Sequence, residues 1–187
     1  MRAVDLLQAD LTGSLLVATP SLVDPNFRRT IIFVTRHEAT DGALGVILNR
    51  PSGTNLGNLT DSPESLKKVP VFEGGPVEQQ QILLARIHVM ELGASFETFG
   101  QKYERSDEEN FLGHHDLRAF NGYAGWSEGQ LEDEIRENSW LTIPPTASLL
   151  SAIKTPEEGL SRWRGIMKEL SPVYRLLAEA PDDPSMN

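Results

Sequence analysis

Between Ser14 and Trp126 the chain is cut into short apolar runs, each closed within a few residues by glycine, proline, asparagine or aspartate. Ser14–Ala18 stops at Thr19-Pro20, and Thr30–Thr35 (Thr-Ile-Ile-Phe-Val-Thr) is β-branched at all but one position. Runs of this length and composition are strands, since stable helices need longer stretches and a 3.6-residue period. After the Asp41-Gly42 turn, Ala43–Leu48 forms the second arm of a hairpin with Thr30–Thr35. Val71–Glu73, Gln81–Met90, Leu117–Tyr123 running into Gly125-Trp126, and Ser139–Ile143 add further strands, and Ser95–Tyr103 a weak one. Pro51 lacks an N–H and is expected to end the ladder after Leu48, leaving 52–69 as a polar loop with a short helical segment.

Helical signals are fewer. Val4–Leu11 has the spacing of a short opening helix, and Ser106–Glu109 opens an acidic one with a capping-box pattern. Ser127 and Gln130 form a second capping box, with Leu131 and Ile135 as a narrow apolar stripe. Thr155-Pro156-Glu157-Glu158 combines an N-cap, a proline at the first helical position and a capping glutamate. The helix that follows carries Leu160, Trp163, Ile166, Met167 and Leu170 on one face, and Ser171-Pro172 breaks it before 173–180. Strands interleaved irregularly with few helices predict an α+β domain with a mixed sheet, not a doubly wound nucleotide fold. One domain is expected over 1–180, with 181–187 as a disordered tail.

The chain has 187 residues and a formal net charge of −10, which opposes direct contact with nucleic acid. That charge is concentrated: residues 91–137 hold twelve acids against four bases, while both flanks are nearly neutral. The stretch reads either as a solvated face or as a docking face for a basic protein partner. There is no cysteine, hence no disulfide, thiolate nucleophile or Cys-ligated metal. No secretory pattern and no long uninterrupted apolar window is present, so a cytoplasmic chain without a membrane span is expected.

Phosphate loops, dinucleotide fingerprints, zincin motifs and serine nucleophile elbows are all missing. His114-His115-Asp116 is the one cluster of metal-type ligands, but neighbouring histidines on a strand face opposite ways, so neither a metal nor any other cofactor is expected. Arg28-Arg29 after the Asp24–Phe27 turn, Asn49-Arg50 at a strand end, and Gly74-Gly75 are candidates for holding an anion. Equally, these glycines could serve tight turns and these arginines nearby carboxylates. Tyr123, Trp126 and Gln130 stand at a strand-to-helix corner, where they either line a pocket or anchor the helix.

These same segments resemble the AlgH/YqgE-like family of small, largely uncharacterised bacterial proteins. The likeness runs through 13–18, 24–30, 42–51, 71–77, 122–126 and 129–132 to the helix bearing Trp163. It implies a bifurcated sheet folded into a pseudo-barrel with a few flanking helices. The family's name further suggests a transcriptional regulator, and the resemblance brings no catalytic residues. Taken with the motifs, the expectation is a non-enzymatic binding or regulatory module acting through a protein partner or a small anion. An enzyme with an unrecognised anion-binding site is the alternative, and it requires Arg28, Arg50 and the Gly74-Gly75 turn to converge.

Overall fold

A computed structural model describes residues 10–38, 40–90, 93–99 and 117–180. The expected opening and acidic helices, His114-His115-Asp116 and the 181–187 tail fall wholly or largely outside these residues. The strands are β1 (Leu15–Ala18), β2 (Ile31–Glu38), β3 (Gly42–Ile47), β4 (Pro51–Asn55), β5 (Pro70–Glu73), β6 (Val77–Met90), β7 (Gly93–Phe99), β8 (Leu117–Trp126) and β9 (Trp140–Ile143). The helices are α1 (Gln130–Arg136), α2 (Ala147–Leu150), α3 (Pro156–Leu170) and α4 (Pro172–Glu179). Strand order along the main path is β4-β5-β8-β3-β2-β1-β9, with β6 and β7 branching from β8. The β5–β8 pair is parallel and its neighbours are antiparallel, so the sheet is mixed, as the α+β reading requires.

The central strands are covered on both faces. Leu15, Val17, Ile31, Phe33, Val46 and Leu48 face one core, with Trp163, Ile166 and Met167 of α3. Leu16, Ala18, Ile32, Val34, Ala43 and Ile47 face the other, with Trp126, Leu131 and Trp140. Two-sided burial is why these strands read as unbroken apolar runs instead of alternating ones. A third cluster, including Leu56, Leu66, Val71 and Leu84, closes the β4–β5–β8 limb.

The sheet divides at β8. Its first half lies between β5 and β6, whereas Ala124–Trp126 pairs with β3. Gly74 bridges the two limbs, donating its N–H to the Asn121 carbonyl at 2.8 Å and accepting from the Ile47 N–H at 2.9 Å. A β-carbon on Gly74 would lie 2.1 Å from the Gly122 oxygen, and one on Gly75 2.1 Å from the Tyr123 carbonyl carbon. The Gly74-Gly75 pair is therefore what lets the two backbones approach at the fork.

Four details depart from the sequence reading. Pro51 begins β4 and pairs with Phe72 at the sheet edge, where a missing N–H is tolerated, and a 3₁₀ turn at Leu56–Asn58 follows. Gly129, with φ +73°, stands at the N-cap of α1 in place of Ser127; Gln130 Oε1 instead accepts from the Ser127 N–H and hydroxyl. Leu170 is exposed at the end of α3, and Gly159 takes a buried place on that helix. Thr146 caps the short α2, accepting from the Leu149 N–H, which no sequence signal announced. The Thr155 cap of α3 and the Ser171-Pro172 break are as expected. No helix among the described residues is long and apolar enough to cross a membrane.

Gly74→Ala should cost at least about 3 kcal/mol in urea unfolding, because the added methyl overlaps backbone on a neighbouring strand. Gly53→Ala is the matched control: Gly53 has φ +75° but nothing within 4 Å of a β-carbon, so only the left-handed backbone cost of about 1 kcal/mol applies.

Candidate functional site

The site is built on Asn49, at the end of β3. Its side chain is buried and uses every polar bond it has in reach. Oδ1 accepts from the Ile31 N–H at 2.8 Å, while Nδ2 donates to the Arg29 carbonyl at 2.9 Å and the Gly159 carbonyl at 3.2 Å. One amide thus joins the start of β2, the loop before it and the first turns of α3. The helix comes so close that a β-carbon at Gly159 would lie 2.0 Å from the backbone carbonyl oxygen of Asn49.

Arg29 is held in an uncommon backbone conformation for a residue with a side chain, φ 60°. Besides the Asn49 bond, its guanidinium lies 5.8 Å from the Trp163 ring centroid and donates to the Ala180 carbonyl. The preceding turn is closed by Asp24, whose carboxylate accepts from the Asn26 N–H at 2.8 Å and whose carbonyl accepts from the Phe27 and Arg28 N–H groups. Phe27 then packs between Trp126 and Trp140, with ring centroids 6.3 and 5.8 Å away. Arg50 braces the same turn, donating to the carbonyls of Pro25, Asn26 and Arg28. Burial pulls the Arg50 guanidinium below its ordinary value, and the positive charge of Arg28 adds to this, while Glu73 and Asp24 oppose it. An arginine so perturbed still carries its charge at neutral pH.

Arg28, Arg29, Asn49 and Arg50 come together with Pro51, Glu73, Pro156 and Leu160 around a cleft of about 370 Å³. The described lining thus holds three arginines and one glutamate, a cation-rich set within a chain of net charge −10. Such a set suits an anionic group, because guanidinium forks fit carboxylate or phosphate oxygens.

The other sequence candidates lie elsewhere. Gly74 and Gly75 follow Glu73 in the chain but are buried at the sheet fork, where the Gly74 N–H is committed to Asn121. Tyr123 borders a separate cleft with Gln81, Ile82 and Phe99. Trp126 is buried, and its indole N–H and that of Trp140 both donate to Glu134 Oε2, at 2.9 and 2.7 Å. Gln130 holds the other oxygen of Glu134 at 2.8 Å. Trp126 and Gln130 therefore support the turn that carries Arg28, through Phe27, and do not line its cleft. Glu73, Pro156 and Leu160 were missed as site residues. The position of Glu73 next to Gly74-Gly75 was the available signal, whereas nothing in the sequence brings the start of α3 to residue 49.

The described part of the acidic segment is largely engaged within the molecule. Glu132 meets His37 Nε2 at 2.8 Å, and His37 Nδ1 accepts from the Leu11 N–H, so Nε2 is the nitrogen that donates to the carboxylate. Asp133 pairs with Arg136, and Glu134 serves the two indoles.

A family model described as AlgH-like (DUF179) matches residues 15–175. The chain belongs to the AlgH-like family. It is 36% identical to a UPF0301 protein of Streptomyces coelicolor, the alignment covering 96% of each chain. A UPF0301 protein of Thermobifida fusca is likewise 36% identical, covering 95% of this chain and 96% of its own. Among solved structures, the solution structure of the AlgH protein from Pseudomonas aeruginosa is similar with a TM-score of 0.65 and 28% identity, covering 93% and 96% of the two chains. A crystal structure from Corynebacterium diphtheriae, at 21% identity and TM-score 0.67 with 90% and 91% covered, shares the fold. Within this family the site residues fall inside the matched span, and the curled mixed sheet agrees with the AlgH structure.

Asn49→Ala would leave a buried N–H and two carbonyls short of a partner. A loss of about 2–4 kcal/mol is expected in chemical denaturation. Asn49→Asp keeps the Ile31 bond but sets a carboxylate against two carbonyl oxygens, so it should not recover that loss.

Proposed function

We propose that this AlgH-like protein is a non-enzymatic, cytoplasmic binding module that recognises an anionic group in the cleft of Arg28, Arg29 and Arg50. The observation that carries this reading is that these three arginines, from two separate chain segments, line one cleft of an otherwise acidic chain. Preorganisation supports it further. Arg29 is fixed by Asn49, Trp163 and Ala180, and Arg50 by three carbonyls, so little side-chain order remains to be lost on binding. The described lining offers charge and some apolar surface; its one candidate general base, Glu73, has no serine, threonine, histidine or lysine beside it in that lining to serve as a nucleophile. That chemistry favours binding over the enzyme reading.

The name of the Pseudomonas aeruginosa relative gives no ligand, and a regulatory role here would pass through what the cleft binds. Direct contact with DNA is poorly served by a net charge of −10.

Titration with inorganic phosphate, followed by ¹⁵N–¹H NMR, tests the proposal. Saturable shifts should centre on Arg28, Arg29 and Arg50. Arg28→Ala should weaken binding about tenfold or more. The fold should be kept, because Arg28 is exposed and its carbonyl, which Arg50 holds, remains. Shifts spread evenly over other surface cations, or unchanged affinity in Arg28→Ala, would rule the cleft out.

A further inference from the structure

A second cleft, of about 300 Å³, lies directly beside the first and shares Arg28 and Arg29 with it. Its other walls are mostly apolar: Pro20, Leu22, Val23, Trp163 and Leu177. Val23 is 81% exposed and Leu177 48%, so apolar surface stands uncovered next to the arginines. The two consecutive arginines form the shared wall. Beside these arginines the first cleft sets Asn49, Arg50 and Glu73, and the second sets the apolar side chains.

We infer that the ligand is an acidic peptide segment whose carboxylate enters the arginine cleft while a nearby apolar side chain enters the cleft of Val23, Trp163 and Leu177. This rests on the anion-binding reading above and deepens it. The charge argument is one of local composition: within a chain of net charge −10, the described lining holds three arginines and one glutamate, a set that suits an acidic segment. The shape argument concerns the wall. A compact inorganic anion fills one cleft and leaves Val23 and Leu177 in water. An extended chain crossing the wall can supply both groups, because side chains two residues apart stand about 6.5–7 Å from one another. Arg29 is suited to such a wall: its guanidinium covers the Trp163 ring and is tied to the Ala180 carbonyl, so it presents a fixed boundary.

The test uses the full chain and three blocked pentapeptides, titrated by calorimetry and ¹⁵N–¹H NMR beside inorganic phosphate. One peptide carries aspartate and leucine two residues apart, one has asparagine in place of the aspartate, and one has glycine in place of the leucine. The peptide with both groups should bind about tenfold or more tightly than either of the others, and should shift the Trp163 indole signal as well as Arg28. Leu177→Ser should weaken the leucine-bearing peptide and leave phosphate binding unchanged. Arg28→Ala should weaken both aspartate-bearing peptides. If phosphate binds and the peptide with both groups is no better than the aspartate-only one, this inference fails while the anion reading stands. If octanoate matches that peptide, the peptide assignment fails in favour of a free amphipathic acid. If no probe binds, both readings fall.

Discussion

A single buried amide, that of Asn49, ties together three parts of the chain that the packing of strand and helix brings side by side. Ile31 opens the central strand β2, Arg29 ends the loop before it, and Gly159 belongs to a helix more than a hundred residues later. Each contributes a backbone group that is costly to leave unpaired away from water. By satisfying all three, Asn49 sets the helix against the sheet end and fixes Arg29 in its left-handed backbone conformation. The arginine cleft is a consequence of that clasp: remove it, and residues 28–29, 50 and 156–160 lose their shared reference point.

Around the clasp the architecture follows from burial. The β1–β2–β3 strands face cores on both sides, so α3 must cover one face, and the aromatic cluster with α1 the other. That second core reaches the site through Phe27, wedged between Trp126 and Trp140 one residue before Arg28. The acids of α1 help to hold it, since Glu134 takes both indole protons. Much of the acidity in the described part of 91–137 thus does structural duty. The arginine-lined cleft is the feature that stands out against the chain's charge.

Most of the strands were legible in the sequence because two-sided burial leaves unbroken apolar runs between turn residues, as at Ser14–Ala18 and Thr30–Thr35. The caps of α3 and α4 were equally plain, since Thr155-Pro156 and Ser171-Pro172 act within a few residues of themselves. Pro51 misled because a proline signals the end of a ladder only where its nitrogen faces a partner, and an edge strand lacks one on one side. Arg118 shows the limit most clearly: a charged residue in β8 is almost wholly buried, stacked over Phe72 and donating to the Leu150 carbonyl. Of the site, Arg28, Arg29, Asn49 and Arg50 could be named from their turns. Their convergence, and the roles of Gly74, Gly75 and Trp126 as supports, depend on contacts between distant segments that local pattern does not encode.

Native-state hydrogen exchange at the Ile31 amide tests the central role of Asn49 most directly, because the acceptor of that N–H is a side chain and not a strand partner. If the clasp is integral to the core, Ile31 should exchange as slowly as the neighbouring β2 amides, with the free energy of global unfolding. Exchange at Ile31 through a local opening, several kcal/mol below the global value, would show that the amide is an accessory to the fold and contradict the account.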